Sequence, residues 1–335
     1  MLDYKFFERE TNIKARVVAD SISPLGHRIT TVEVEAPRII LAEMNTHHDL
    51  MKNCSSTRAI TLQKAIEQIE LNGFEPVYWG KKKAGMAATE EIETVNTAKS
   101  LWRASKRLSI QTVGLLDDNE VHKQIAGRLL EPFQMVKQLL TGTNWNNFFN
   151  LRIHPTAQPE ILMLAYKIYK AIEASIPMKL VSGEWHLPYV ITTRDNLGNI
   201  MYVDSLRETH YVEYSLDEAK RISASCCAQT SYRNTDESLE KADSVFDKLV
   251  NTDVVHASPT EHQATPVKQT CYVLGINKLH PDTWEDGVTH MNRNGAMCSG
   301  AFTGWIQHRH LIPNNTCWKF DFDERMKLFG IVEEV

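Results

Sequence analysis

The sequence lacks most of the features that assign a protein quickly. No apolar run approaches the roughly 18 to 20 residues that a membrane helix needs. The first ten residues, Met-Leu-Asp-Tyr-Lys-Phe-Phe-Glu-Arg-Glu, lack the apolar core of a signal peptide. No membrane partner is expected, and the expected address is the cytoplasm of a bacterial or virus-infected cell. Six cysteines, at 54, 226, 227, 271, 298 and 317, include no Cys-x-x-Cys pair. That spacing argues for reduced thiols and against a disulfide frame or a zinc site. Positive charge is also short: a formal net charge of -5 argues against a general nucleic-acid binder, because affinity for a phosphate backbone comes from concentrated cations. A few arginines in one pocket would suit a nucleotide better than a polymer.

The usual chemical signatures are missing as well. Gly-x-Gly-x-x-Gly and Walker loops are absent, so a dinucleotide would need another cradle. There is no Gly-x-Ser-x-Gly elbow, and no cysteine has a compelling partner in sequence. His47-His48 and His308-x-His310 are available to a metal, yet adjacent histidines on a helix point about 100° apart. No His-Glu-x-x-His pattern gathers carboxylates around them, and no metal is expected.

What is present is an ordinary globular composition, with 335 residues, 42% hydrophobic and 24% charged, enough for one large domain or two smaller ones. A single domain over 1–335 is expected, with 266–335 as an extension to it. The stretch Glu43 to Ile60 crowds histidines, amides, hydroxyls, a carboxylate and Arg58 directly after apolar Ile39, Ile40 and Leu41. Its front half reads as a helix, from the spacing of Ile40, Met44, His47 or His48, and Met51. Its back half reads as extended, which would send Ser56 and Arg58 to one side. A hydroxyl beside a guanidinium makes a phosphate grip, although a lone Ser-x-Arg is more often a capped helix end with a solvated arginine.

Around this stretch the pattern predicts an antiparallel hairpin over 15–36, with Pro24-Leu25-Gly26 at its turn. A short helix carries Leu62, Ile66 and Ile69, and helix is predicted again from Ala87 to about Ile110. Val121, Ile125, Leu129, Phe133, Val136 and Leu140 form a long helical stripe, and Ile161 to Ile172 form another. A second hairpin is expected over 183–204, and helices over 216–227 and 239–249. The last quarter, with Gly275, Gly295, Gly300 and Gly304, reads as loop-rich with a short strand.

Taken singly, Arg128 reads as a solvated helix residue, Arg152 as an ion-pair partner and His256 as a core histidine. Together, the polar clusters resemble the flavin-dependent thymidylate synthases, in a divergent, circularly permuted form of the viral kind. The signature Arg-His-Arg-x-x-Ser-x-Asn-x-x-Ser-x-Arg, laid on Thr46 to Arg58, matches at His47, Asn53, Ser56 and Arg58. It departs at Thr46, His48 and Met51. Ala126-Gly127-Arg128-Leu129-Leu130-Glu131-Pro132 is similar to the family's Ala-Arg-x-x-Leu-Pro segment. Asn150-Leu151-Arg152 followed by Ala157-Gln158-Pro159-Glu160-Ile161 is similar to its Asn-Leu-Arg and Ala-Gln-x-Glu-Ile run. Gln229-Thr230-Ser231-Tyr232 and His256-x-Ser258-Pro259-Thr260-Glu261-His262 resemble segments that elsewhere precede the signature, hence the permutation.

The resemblance implies an α+β fold, an antiparallel sheet with packed helices, and a homotetramer whose sites are shared between subunits. It implies methylation of the uracil C5 of deoxyuridine monophosphate (dUMP), with methylenetetrahydrofolate and NADPH as co-substrates and FAD as carrier. Ser56, Arg58 and Arg128 would hold the 5′-phosphate, and Arg152 would lie on the pyrimidine as the catalytic group. Thr46, His47, Asn53, Asn144, Asn147, Ser231, His256 and Ser258 would bind FAD. Glu43 stands where the family has a glutamine near the nucleotide, and His48 replaces an arginine. These departures leave open another pyrimidine such as deoxycytidine monophosphate (dCMP), another one-carbon outcome such as hydroxymethylation, or a relative that binds flavin or nucleotide without catalysis.

Overall fold

Alternating residues around the Pro24-Leu25-Gly26 turn build the expected hairpin. The computed structural model describes residues 4–85, 87–88, 90–205, 211–231, 235–268 and 281–329. In it β1 (Lys14–Ile22) and β2 (Arg28–Pro37) pair antiparallel, from Lys14↔Glu35 to Ile22↔Arg28. A 3-10 turn, Arg38–Ile40, leads into the short helix α1 (Leu41–Asn45) and strand β3 (Met51–Cys54). Helices α2 (Leu62–Asn72), α3 (Val95–Asp118) and α4 (Lys123–Ala126) follow, then a 3-10 segment, Gly127–Phe133, and strand β4 (Met135–Gly142). Helices α5 (Asn146–Arg152) and α6 (Pro159–Glu173) and the short β5 (Met178–Lys179) end this half. The sheet order is β3-β4-β2-β1-β5. β5 runs parallel to β1, and the other neighbours pair antiparallel.

Three local expectations are corrected. The stripe from Val121 to Leu140 is not one helix, because Pro132 has no amide to donate and its ring blocks the preceding turn. Val136 and Leu140 lie on β4; residues i and i+4 share a face of a strand as well as of a helix, so the spacing fits both. Met51 opens β3 instead of closing a helix, and the helix expected from Ala87 begins at Val95.

One face of the sheet is apolar. Val32, Val34, Ala36 and Leu140 pack with Met44, Phe148 and the α6 residues Ile161, Leu164, Ala165 and Ile168. Each of the larger side chains among these contributes about 1.5–3 kcal/mol by leaving water. Pro159 at the first turn starts α6, and Glu160, buried in the next position, accepts a hydrogen bond from the Val77 amide.

The other face is partly polar and is covered by the second half of the chain. That half holds β6 (Ile191–Arg194), β7 (Ile200–Val203) and β8 (Glu213–Tyr214) in one sheet, and helices α7 (Leu216–Ala228) and α8 (Leu239–Leu249). β9 (Ala264–Pro266), β10 (His290–Met291), β11 (Met297–Ser299), β12 (Phe302–Thr303) and β13 (Trp305–Gln307) make two small sheets. The last quarter therefore carries more strand than its glycines suggest. Cys271 and Gly275, and Tyr232 of the Gln229 segment, lie outside the described residues.

A buried chain of side chains joins the halves. Ser21 Oγ lies 2.9 Å from His186 Nδ1, and His186 Nε2 lies 2.8 Å from Thr31 Oγ1. Thr31 Oγ1 lies 2.7 Å from Thr141 Oγ1, and Thr141 Oγ1 lies 2.8 Å from His262 Nδ1. Burial pushes both histidines down to about 3, so they are neutral links. Nearby, Tyr189 takes a left-handed φ of 67°, rare for an aromatic residue. Its hydroxyl donates to Glu33 at 2.8 Å, which holds that strained residue on the sheet.

Candidate functional site

β3 has a differently equipped cluster at each end. At its start, α1 delivers Glu43, its C-cap is Thr46, and the following turn delivers His47. Gly142 keeps that turn tight against β4, since a Cβ there would come 2.5 Å from Leu50 Cδ2. The last turn of α5 brings in Arg152. Arg152 Nε donates to His47 Nε2 at 2.8 Å, and Nη2 donates to the Thr46 hydroxyl at 3.1 Å and to the Glu43 carbonyl at 3.3 Å. Because arginine only donates, His47 Nε2 is an acceptor and the ring is neutral, with its proton on Nδ1. Burial, then the positive Arg152 and Lys52, lower His47 to about 4, consistent with that state. The Phe148 ring meets His47 edge to face. Arg152 Nη1 has no hydrogen-bond partner among the described residues, so one edge of an otherwise fixed guanidinium is open. The Glu43 carboxylate Oε2 is buried and without a partner.

At the far end of β3 the chain turns at Ser55–Arg58. Ser56 is extended, but Arg58 lies in a 3-10 turn, so the two side chains do not simply share the face of an extended segment. The Ser56 hydroxyl instead accepts from the Arg58 amide at 3.3 Å. Ser231 Oγ accepts from the Ser56 amide at 2.8 Å, and the Asn53 side chain donates to the Cys227 carbonyl at 3.1 Å. The segment 227–231 thus braces this turn from the other half of the chain. The Arg58 turn packs on α4, the element leading into Arg128. Arg58 is exposed and makes no side-chain hydrogen bond or ion pair among the described residues. Arg128 is exposed and paired with Glu131 at 2.6 Å. Sequence reasoning missed that the same Glu131 oxygen also holds Arg38, at 3.1 Å.

The two ends are separated by β3, which spans roughly 13 Å at ~3.3 Å per residue. One chain therefore joins Glu43, Thr46, His47 and Arg152 in one group and Asn53, Ser56 and Ser231 in another. Arg58, Arg128 and Arg152 are not brought into contact with one another. Asn144 and Asn147 lie exposed at the opposite end of α5 from Arg152, and the Asn144 side chain accepts from the Asn146 amide. Asn144 lines a cleft of about 350 Å³ walled by Trp145, Phe149 and Tyr169. His256 and Ser258 are exposed, the latter opening the 3-10 turn Ser258–Glu261 that packs beside β3.

The cleft sets the amides of Asn144 and Asn146 and flat aromatic walls beside the charged Arg28 and Glu173, a lining that matches the flat face and polar edges of a flavin ring. Among the described residues no helix is long and apolar enough to cross a membrane, and no cluster of three metal-ligating side chains occurs. Cys54, Cys226, Cys227, Cys298 and Cys317 are free thiols.

A family model described as thymidylate synthase complementing protein matches residues 8–178, a little more than half of the chain. No curated protein matches. Among solved structures, the UMP/dUMP methylase PolB from Streptomyces cacaoi, bound with 5-Br dUMP, is 15% identical with a TM-score of 0.40, over 48% of this chain and 90% of that one. The same methylase bound with 5-Br UMP is 16% identical with a TM-score of 0.40, over 48% and 89%.

Proposed function

The chain belongs to the thymidylate synthase complementing protein family, a family of flavin-dependent thymidylate synthase enzymes, and from that premise we propose that it methylates the uracil C5 of dUMP to give dTMP. Methylenetetrahydrofolate is the carbon donor, NADPH the reductant and FAD the carrier. The observation that supports this most is Arg152, fixed on three acceptors of its own chain with Nη1 left open. A guanidinium held so needs little reorganisation to stabilise negative charge developing on a pyrimidine carbonyl.

Bound flavin supplies the redox chemistry, which explains why the chain needs no cysteine nucleophile. The protein's own residues position the reactants. Ser56, Arg58 and Arg128 hold the 5′-phosphate through charge-assisted hydrogen bonds. Neutral His47 and the Thr46 hydroxyl keep Arg152 in place at the edge of the flavin site, and Asn53 and Ser231 brace the phosphate turn from behind. Asn144, Asn147, His256 and Ser258 hold the cofactor's polar parts. The span of β3 between the two arginine groups fits a site completed by neighbouring copies, and we read the assembly as a homotetramer. We also read the chain as one circularly permuted domain, because segments 227–231 and 258–262 pack beside β3 although they follow it in sequence.

One observation favours a second substrate. The unpartnered Glu43 Oε2 is an acceptor in want of a donor, and the exocyclic amine of cytosine is one that uracil lacks. Incubating the protein with dUMP or dCMP, methylenetetrahydrofolate and NADPH, with products identified by mass spectrometry, decides between them. Purified protein should be yellow and bleach with NADPH. Colourless protein that takes up no FAD and converts neither nucleotide would falsify the enzymatic reading.

A further inference from the structure

Arg38 is a half-buried cation whose contacts are not accounted for by bracing alone. It follows β2, and its amide donates to the Gln134 carbonyl at 2.9 Å. Its side chain is only 17% exposed, yet its one ion-pair partner among the described residues is Glu131, and its Nη1 is buried with no partner. Glu131 meets Arg38 with the same Oε1 that accepts from Arg128. One carboxylate between two guanidiniums neutralises one of them.

Two further observations locate this excess charge. Cys54 ends β3 and is exposed as a residue, but its thiol is desolvated and raised above its ordinary range, an effect that the Arg38 charge opposes. The 3-10 turn that carries Arg38 packs on the Gly127–Phe133 segment, which also packs with α4, the helix against which the Thr57–Ala59 turn rests. Gln138, paired with Cys54 across the β3–β4 ladder, is 1% exposed, and its Nε2 is also buried without a partner. Buried donors left unmatched are expensive, and native folds keep them where something else supplies the acceptor. Arg38 also lies outside the motif residues that carry the family resemblance. It adds a guanidinium to a chain whose motif has Thr46 and His48 where arginines are expected.

Building on the nucleotide-binding reading above, we propose that Arg38 is a third arginine of the phosphate grip. Glu131 is a stand-in acceptor that holds Arg38 and Arg128 until a phosphate monoester dianion takes its place. The three phosphate oxygens can then satisfy donors that one carboxylate oxygen now shares.

Isothermal titration of the full chain with dUMP, deoxyuridine and inorganic phosphate tests this. In Arg38→Met the affinity for dUMP should fall about tenfold or more, as expected for loss of a charged hydrogen bond, with deoxyuridine unchanged. In Glu131→Gln, dUMP and phosphate should bind several-fold tighter, because the competing carboxylate is gone. Wild-type affinity for dUMP in Arg38→Met overturns the proposal. So does a Glu131→Gln protein that binds dUMP and deoxyuridine equally more weakly with a lowered Tm, for then the pair only braces the turn. Should Arg38→Met fail to fold, Glu131→Gln alone decides. A wild-type protein that binds no nucleotide sinks the nucleotide reading itself. In that case inorganic phosphate, bound by the wild type and lost in Arg38→Met, still upholds the anion site, and phosphate left unbound by the wild type overturns it.

Discussion

The two ends of β3 both present arginine, but they prepare it differently. At the start of the strand, Arg152 is held by an imidazole, a hydroxyl and a carbonyl, all uncharged, so its positive charge is oriented without being neutralised. At the far end, Arg58 has no side-chain partner among the described residues, and Arg128 and Arg38 share one carboxylate. A group that must meet charge developing during a reaction gains from being fixed beforehand. Groups that meet a charge already present on an incoming phosphate can be ordered by it. The contrast separates an orienting site from a capture site.

The contrast can be broken most sharply at Arg152. Arg152→Ala should lower kcat by about 10²- to 10³-fold, with visible flavin absorbance unchanged. Loss of flavin in parallel with turnover would mean that Arg152 is merely structural. Next in size, Arg58→Ala should raise KM for the nucleotide about 10- to 100-fold, the loss of a charged hydrogen bond, with little change in kcat. A fall in kcat at constant KM would erase the distinction between the ends. His47→Ala removes one of the three acceptors, and about a tenfold drop in kcat is expected from the loosened guanidinium.

The smallest effect is a pH dependence. Folded His47 is lowered to about 4, first by burial and then by Arg152 and Lys52. An unfolded chain takes up this proton near its ordinary 6.5, so the group's contribution to stability is fully present above that pH and is lost as pH falls toward 4. The urea midpoint should therefore drop between pH 7 and pH 5, and drop less in His47→Gln. His186, His262 and His308, each at about 3, share the sign and keep part of the slope in that variant. Equal slopes in the two proteins would show that His47 is not held neutral.

Much of this was legible in the sequence where one period dominated. The β1–β2 hairpin and α6 have patterns that only one element fits. β4 was obscured because Val136 and Leu140 sit at a spacing common to helix and strand, and only Pro132 hinted at the break. At the site, Arg152 and His47 were visible as candidates, but their hydrogen bond joins residues 105 apart in sequence. The roles read from Ser56 and Arg58 depended on a turn that Ser231 helps to set from the other half of the chain. Arg38 and Glu131 carried no signal, since an arginine after Pro37 and a glutamate before Pro132 look solvated one at a time. His186 was equally silent, and His262, although it closes a quoted segment, gave no hint of its buried role, because a buried relay is defined by its partners.

That relay bears on how the chain can be divided. The family match stops at residue 178, but Thr31, Thr141 and Ile29 on the sheet's second face are sealed by residues beyond it. A fragment trimmed to the matched region would leave a half-greasy, half-hydrogen-bonding surface wet, without the imidazoles that complete it. The boundary of recognisable ancestry and the boundary of an independently stable body are therefore different places along this polypeptide.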